Sequence, residues 1–259
     1  MISLKNSEQL ALMKEAGRIT AEALLVAEEN VRAGISTAEL DRKIRAHIEK
    51  CGARPSFLGY GGFPGSACIS LNQEVIHGIP SPKRFIEEGD LVKVDVGAFY
   101  RGFHGDSART FACGTVSGEA ARLIAVTKAC FEAALKVALP GNRIGDISAA
   151  AQKTAEDAGY GVVRKYVGHG IGMQLHEDPE VPNFGRAGHG IRLYPGMTLA
   201  IEPMIAMGDY HVAELDDGWT IVTEDGSICS HYEHTIAINE KGLPEILTYP
   251  GYVLTEDAE

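Results

Sequence analysis

Residues 91–111 read LVKVDVGAFYRGFHGDSARTF, and this stretch decides the predicted fold. Its first part is rich in Val and Leu, which is typical of a strand, yet Asp95 stands inside the apolar run. Asp106 follows eleven residues later. Two antiparallel strands joined by a loop would bring both carboxylates onto one face of a sheet. The stretch therefore predicts a pair of strands that carries two acidic side chains.

A second apolar run, MTLAIEPMIAM at 197–207, is interrupted in the same way by Glu202. The distance from Asp95 to Glu202 is 107 residues, and the same distance separates two pairs of glycines, Gly34 from Gly141 and Gly89 from Gly196. HGIP at 77–80 and HEDP at 176–179 are only 99 residues apart, so loops of different length must intervene. Chance recurrence in a Gly-rich chain is the alternative. We favour a duplicated half-domain with pseudo-twofold symmetry and a site where the halves meet.

Helical and strand patterns alternate along both halves. Apolar residues at three- and four-residue steps predict helices over 7–32, 37–52, 118–138 and 146–158, the first capped by Ser7. Strands are predicted at Ala67–Leu71, Leu91–Phe99, His104–Phe111, Met197–Ile205, Trp219–Thr223 and His234–Asn239. The fold class is α+β, with one domain over 1–250, halves of roughly 1–112 and 113–250, and an acidic tail over 251–259.

Composition excludes several classes of protein. The 259 residues include 24 basic and 35 acidic side chains, a net charge of −11, which argues against general nucleic-acid binding. No stretch approaches the ~20 apolar residues of a membrane span. The five cysteines form no CxxC pair and fit reduced thiols in the cytoplasm. We expect a cytoplasmic protein that is a monomer.

A carboxylate inside an apolar strand is costly unless it is paired or bound to metal. A buried salt bridge or a protonated acid would account for one such residue. Here five groups of suitable chemistry occur, the last two in VGHGIG (167–172) and HYEHTIAI (231–238): Asp95, Asp106, Glu202, His169 and Glu233. Four oxygen donors and one imidazole suit a pair of divalent ions, with Co, Mn, Fe, Zn and Ni as candidates. Such a pair would make hydroxide available near neutral pH.

Two histidines precede Pro-containing turns at corresponding places in the halves, His77 and His176. A lone histidine usually makes an ordinary hydrogen bond. Their symmetric placement beside the candidate ligand strands favours contact with a substrate instead. No role is predicted for four other histidines: His104, His211, His231 and His234.

The segments KVDVGAFYRGFHGDSARTF, YVGHGIG, IEPM and HYEHT together resemble the type I methionine aminopeptidases, which have the pita-bread fold. The resemblance covers nearly the whole chain. It implies a curved antiparallel sheet covered by helices and two metal ions on the five residues above, with Asp106 and Glu233 bridging them. It also implies that His77 and His176 contact the substrate and that Glu202 shuttles a proton.

The resemblance further implies an apolar pocket for a methionine side chain. Its lining would be Phe57, Tyr60, Phe63, Cys68, Leu175 and Trp219. Taken without the resemblance, each of these residues reads as plain core packing. Family members often carry Cys, Tyr and Phe where Phe57, Phe63 and Leu175 stand, so the pocket stays apolar but differs in shape.

The expected function is removal of the initiator methionine from nascent polypeptides whose second residue is small. Metal-activated hydroxide would attack, with Glu202 as proton carrier and His77 or His176 polarising the carbonyl. One alternative is a proline-specific aminopeptidase on the same fold, although its relatives usually carry a large additional domain. Another is a binding protein without catalysis. A local contact with the ribosome is compatible with the acidic charge.

Overall fold

The structure is a computed structural model that describes residues 2–249. The predicted acidic tail over 251–259 lies outside the described residues. The four helices are α1 (Ser7–Asn30), α2 (Thr37–Lys50), α3 (Gly118–Val137) and α4 (Ile144–Asp157). None of the helices in this described part is long and apolar enough to cross a membrane.

Fifteen short strands and one 3₁₀ turn (Tyr60–Gly62) complete the described part. The strands of the first half are β1 (Arg54–Pro55), β2 (Ala67–Leu71), β3 (Glu74–Ile76), β4 (Leu91–Tyr100) and β5 (Phe103–Ala112). Those that follow are β6 (Gly161–Val162), β7 (Gly168–Gly170), β8 (Glu177–Val181), β9 (Thr198–Ile201), β10 (Met204–Ala206), β11 (Val212–Glu214), β12 (Ile221–Thr223), β13 (Cys229–His231), β14 (His234–Ala237) and β15 (Glu245–Ile246).

The strands form four antiparallel sheets rather than one continuous sheet. In the first sheet, β1 and β2 pair with different parts of one edge of β4, and β5 pairs with its other edge. A five-stranded sheet has the order β15-β14-β9-β7-β8. Two three-stranded sheets have the orders β13-β10-β6 and β11-β12-β3. The β11-β12-β3 sheet joins the halves, because β3 comes from the first half of the chain and pairs with β12 of the second half.

The hairpin predicted from residues 91–111 is confirmed. β4 and β5 pair along their whole length, with Asp95 opposite Ala108 and Gly97 opposite Asp106. Side chains two residues apart on a strand point to the same face, so Asp95 and Asp106 share one face of the hairpin. The turn residue Arg101 has a positive φ of 46° and Gly102 one of 94°.

The 107-residue offset recurs in the structure. Helix α4 begins and ends 107 residues after α2, and β6 begins 107 residues after β1. Each of these helices is preceded by an isolated bridge, Ser36 to Phe85 and Arg143 to Arg192, whose members also differ by 107. The glycine pair Gly89 and Gly196 has φ values of 91° and 84°. These matches support the duplicated half-domain.

Backbone hydrogen bonds join the halves beside β5. The Ala108 N–H donates to the Glu233 carbonyl at 3.3 Å, and the Glu233 N–H donates to the Ala108 carbonyl at 2.8 Å. Thr235 Oγ1 accepts from the Asp106 N–H at 3.0 Å and donates to the Asp106 carbonyl at 2.9 Å. The position of Asp106 is therefore fixed by both halves.

Helix α1 covers the hairpin at unusually close range. Thr20 Oγ1 lies 3.1 Å from the Gly105 carbonyl on β5 and accepts from the Ala98 N–H on β4 at 3.2 Å. A Cβ at Gly105 would lie 2.8 Å from the Gly17 nitrogen of the helix. The missing side chain of Gly105 thus allows the helix backbone to lie directly on the strand.

Three local predictions were wrong. Asn6, not Ser7, caps α1, accepting from the Gln9 N–H at 2.9 Å. The strand predicted over Met197–Ile205 breaks at Glu202 and Pro203, because proline has no N–H for the ladder. β12 begins at Ile221, so Trp219 lies in the preceding turn, where Asp217 accepts from its N–H.

Candidate metal centre

One cavity of about 160 Å³ lies where the halves meet. Carboxylates and imidazoles line one part of it and apolar side chains the other. Its lining contains every residue that the sequence singled out for metal or substrate: Phe57, Tyr60, Phe63, Cys68, His77, Asp95, Asp106, His169, Leu175, His176, Glu202, Trp219 and Glu233.

Five elements or turns bring the candidate ligands together. Asp95 comes from β4, Asp106 from β5 and His169 from β7. Glu202 follows the end of β9, and Glu233 directly precedes β14. Donor atoms of Asp106, His169 and Glu233 lie within 4.8 Å of one another. His169 Nε2 is 3.6 Å from Glu202 Oε1 and 4.0 Å from Asp106 Oδ2.

The orientation of His169 suits metal binding. Its Nδ1 lies 2.9 Å from the Gly170 carbonyl, so Nδ1 carries the proton and Nε2 presents its lone pair to the carboxylates. Burial lowers the pKa of His169 to about 3, with a further contribution from His176. The ring is therefore neutral at pH 7, the form that coordinates metal.

The glycines beside His169 serve the sheet and not a ligand. A Cβ at Gly168 would lie 2.3 Å from the Ala200 carbonyl, and one at Gly170 would lie 2.2 Å from the Asp178 carbonyl. The missing side chains let β9 and β8 pack against the backbone of β7.

The surroundings of the four carboxylates disfavour their charged form when no metal ion is bound. Burial raises the pKa of Asp95 to about 7, although a hydrogen bond with Asp106 opposes the shift. Burial and then neighbouring carboxylates raise the pKa of Asp106, Glu202 and Glu233 well above the usual range. Asp95 Oδ1 and Asp106 Oδ1 are buried without a hydrogen-bond partner. Unpartnered oxygens in a buried acidic cluster fit divalent cations.

The apolar part of the cavity is continuous with the core. Phe63 and Trp219 meet edge to face with ring centroids 5.1 Å apart. Phe57, Cys68 and Leu175 are between 2 and 8% exposed and pack in the same cluster. These side chains therefore act as core packing and as the wall of the cavity together, so the two readings of the sequence do not exclude each other.

Two histidines enter the cavity beside the carboxylates. His176 Nδ1 lies 2.7 Å from the Tyr60 hydroxyl, and the rings of His176 and His169 are 4.3 Å apart. His77 has a positive φ of 59°, an uncommon conformation for a side chain of this size. Burial, followed by the proximity of His176, lowers the pKa of His77 to about 4. Both rings are thus neutral hydrogen-bonding groups at pH 7.

The sequence reasoning missed His231. Its side chain is 1% exposed, neither ring nitrogen has a hydrogen-bond partner, and Nε2 lies 3.8 Å from Glu202 Oε2. A signal was available, because His231 is only two residues from the candidate ligand Glu233.

The other unassigned histidines have ordinary partners. His104 Nδ1 meets Ser56 Oγ at 2.9 Å, and His234 Nδ1 meets Thr248 Oγ1 at 2.8 Å inside the core. His211 is exposed beside Asp209 at 2.9 Å. The absence of a predicted role for these three agrees with their contacts.

Comparison with protein-family models matches residues 11–240 to metallopeptidase family M24. The chain belongs to metallopeptidase family M24. Membership of a metallopeptidase family implies that this M24 chain binds divalent metal. A methionine aminopeptidase of Clostridium acetobutylicum is 54% identical over 96% of the chain and 99% of the relative. Methionine aminopeptidase 1 of Bacillus subtilis is 48% identical over 96% and 99%.

Solved structures agree on the fold. A methionine aminopeptidase from Thermotoga maritima has a TM-score of 0.94 and 45% identity, covering 96% of the M24 chain and 99% of the other. A prolidase from Pyrococcus furiosus has a TM-score of 0.78 at 24% identity, with 96% of this chain matching 66% of that chain. The predicted α+β pita-bread fold is confirmed.

Proposed function

We propose that this chain removes the methionine from the N-terminus of polypeptides whose second residue is small, in a metal-dependent hydrolysis. The observation that supports the proposal most strongly is the composition of the cavity that holds the candidate ligands. A cluster of buried acids and one imidazole lies beside an apolar recess lined by aromatic side chains. The high identity to relatives named methionine aminopeptidases supports the same conclusion.

Two divalent ions would be held by the five candidate ligands: Asp95, Asp106, His169, Glu202 and Glu233. Asp106 and Glu233 would be the ligands shared by both ions, the role that the resemblance to the methionine aminopeptidases implies, and their donor atoms lie close together and beside that of His169. When bound, the ions supply Lewis-acid polarisation of the scissile carbonyl and lower the pKa of a water molecule. Cellular supply decides which ion is used.

Glu202 is the proton carrier in this proposal. Its carboxylate lies between His169 and His231, with Oε1 3.6 Å from one ring and Oε2 3.8 Å from the other. As a carboxylate beside the proposed ions, Glu202 would take up a proton from the attacking water. The same carboxyl then returns the proton to the amine of the departing peptide.

His176 and His77 would polarise the carbonyl of the substrate. Because Nδ1 of His176 can accept the Tyr60 hydroxyl proton, its Nε2–H is left to donate into the cavity. A neutral donor that meets the developing oxyanion stabilises the transition state without titrating near pH 7.

The apolar recess would hold the methionine side chain. A thioether is unbranched and polarisable and makes favourable contacts with aromatic rings such as Phe63 and Trp219. The free α-amino group of the peptide would bind at the acidic end of the cavity. A residue inside the chain has no free amino group and would not bind in this way. This arrangement explains why only the first residue is removed.

A proline-specific aminopeptidase is the alternative on the same fold. The prolidase match at 24% identity shows the fold alone and leaves a third of that chain unmatched. Hydrolysis of Met-Gly-Met and Met-Ala-Ser should be compared with that of Xaa-Pro peptides over a panel of divalent ions. We expect cleavage of the methionyl peptides only, and its loss after EDTA treatment; cleavage confined to Xaa-Pro peptides would reject the proposal.

We further propose that the enzyme works in the cytoplasm as a monomer, on nascent chains. Its net charge of −11 disfavours broad adhesion to ribosomal RNA and leaves room for a local ribosome contact. Sedimentation of the purified chain tests the oligomeric state, and co-sedimentation with ribosomes tests the contact.

A further inference from the structure

A cluster of three metal-binding side chains lies between helices α1 and α2 and shares no residue with the catalytic cavity. Glu22 is on α1, His47 is on α2, and Cys51 ends α2 as its C-cap residue. The Glu22 and His47 side chains are 37% and 23% exposed, and Cys51 is partly buried. Solvent can therefore reach the cluster.

The distances within the cluster are those of a tetrahedral metal site. His47 Nε2 lies 3.2 Å from Glu22 Oε2 and 3.5 Å from Cys51 Sγ, and Sγ lies 3.9 Å from Glu22 Oε2. Around a tetrahedral zinc ion with bonds of about 2.0 Å to N and O and 2.3 Å to S, ligand atoms are roughly 3.3 to 3.5 Å apart. A movement of a few tenths of an ångström at Cys51 would complete the match.

The local sequence explains why the three groups converge. His47 and Cys51 are four residues apart, so they occupy the same face at the end of α2. Arg18 donates to Glu22 Oε1 from one turn earlier on α1. That bond fixes the carboxylate and turns the other oxygen, Oε2, toward the imidazole and the thiol.

A reactive thiol is a weaker explanation of the cluster. Burial and then the charge of Glu22 raise the pKa of Cys51, which disfavours a free thiolate nucleophile. A divalent ion reverses this preference, since it replaces the thiol proton and neutralises the carboxylate in one step. The released proton goes to solvent.

We propose that Glu22 Oε2, His47 Nε2 and Cys51 Sγ form a second divalent cation site of zinc type, with the fourth position open to water. One carboxylate, one imidazole and one thiolate make a borderline-soft donor set that suits Zn²⁺ or Co²⁺ better than Mn²⁺ or Mg²⁺. The bound ion would tie the end of α2 to the middle of α1.

Cobalt separates this site from the catalytic centre, because the candidate catalytic ligands contain no sulfur. The full chain is reduced, stripped of metal and titrated with Co²⁺ while near-ultraviolet absorption is recorded. We expect a thiolate-to-cobalt charge-transfer band whose amplitude at saturation corresponds to one thiolate-bound ion per chain, in addition to the ions held by the catalytic ligands. The band should be lost in Cys51→Ser and in His47→Gln, with one equivalent less cobalt bound at saturation.

Cys68→Ser is the matched control, since Cys68 is the thiol that lines the catalytic cavity. The band should persist in that variant. A band that survives in Cys51→Ser, disappears in Cys68→Ser or never forms in the wild-type chain overturns the proposal. Failure here leaves the peptidase proposal untouched, because cleavage of methionyl peptides is measured separately.

Discussion

His231 is a buried side chain beside Glu202, and neither of its ring nitrogens has a hydrogen-bond partner in the described part of the chain. We expect it to position the Glu202 carboxylate through a ring N–H. His231→Gln keeps a donor of similar reach and should retain most of the activity. His231→Leu removes the donor and should lower kcat about 10- to 100-fold, the equivalent of a lost hydrogen bond to a charged group.

Steady-state kinetics with Met-Gly-Met separates this role from a structural one. KM should change little in His231→Leu, and the thermal midpoint of unfolding should stay near that of His231→Gln. Equal kcat values for the two variants would contradict the positioning role.

His176 offers a second test at the scale of one residue. His176→Ala removes the proposed donor to the oxyanion and should lower kcat by about 10²- to 10³-fold, since such a donor contributes ~2.7–4 kcal/mol. Tyr60→Phe removes only the hydroxyl that lies 2.7 Å from His176 Nδ1 and orients the imidazole ring, so it should cause a smaller loss of kcat. Full turnover by His176→Ala on Met-Gly-Met would show that the assigned role is wrong.

Asp95 links the acidic cluster to stability. In the metal-free protein its pKa is raised to about 7, against ~3.9 for an unfolded Asp. Between these values the folded state binds more protons, so the Asp95 contribution to stability falls as pH rises and stays unfavourable above pH 7. Metal-free Asp95→Asn should therefore be more stable than metal-free wild type at pH 8, by on the order of 2 kcal/mol, with little difference at pH 4.

Urea unfolding of both metal-free proteins at several pH values measures this difference. Asp157→Asn is the control, because that acid is exposed and paired only with Lys153 on the surface. A constant difference between Asp95→Asn and wild type from pH 4 to 8 would contradict the assignment.

At the scale of the elements, the close contact of α1 with β5 depends on Gly105. A Cβ at Gly105 would collide with helix backbone at 2.8 Å, and backbone cannot move aside as a side chain can. Gly105→Ala should destabilise the fold by about 1–3 kcal/mol, the usual cost of overpacking. Gly118→Ala is the matched control, because it lies in the first turn of α3 with nothing within 4 Å of the added methyl.

Denaturant midpoints for the two glycine variants test that packing. The control should be neutral or slightly stabilising, since alanine is the better helix former. An unchanged midpoint for Gly105→Ala would mean that the helix can withdraw from the hairpin without cost.

Elements with strong local patterns could be predicted from the sequence, and their exact ends could not. The four helices lie within a few residues of the predicted ranges, because their apolar spacing is local. The break after β9 had a signal in Pro203, which the apolar run around Glu202 obscured. The cap at Asn6 was missed because Asn and Ser are comparable N-caps and sit next to each other.

At the scale of the whole molecule, the inferred duplication predicted that the site lies where the two halves meet. Residue chemistry and the 107-residue offset placed Asp95 and Glu202 at equivalent positions of two halves. Spacing alone could not show that Glu233 meets β5 through backbone hydrogen bonds, or that His231 lies against Glu202. The first contact depends on how the halves dock, through residues more than 100 positions apart in the chain. The second depends on the pairing of β10 with β13 inside the second half, where Met204 lies opposite His231.

That docking supports the last prediction, at Thr235. Its hydroxyl accepts from the Asp106 N–H and donates to the Asp106 carbonyl, so one side chain of the second half fixes a proposed metal ligand of the first. Thr235→Val has the same shape but leaves both Asp106 groups without this partner. We expect a loss of about 1–3 kcal/mol in stability and a weaker metal affinity, measured by isothermal titration of the metal-free chain.

Thr235→Ser keeps the hydroxyl and loses only a methyl group, so it separates the hydrogen bonds from the packing. It should bind metal nearly as well as wild type, because the geometry of the Asp106 backbone is retained. If Thr235→Val and Thr235→Ser bind metal equally well, the two hydrogen bonds of the Thr235 hydroxyl have no part in positioning Asp106 for metal.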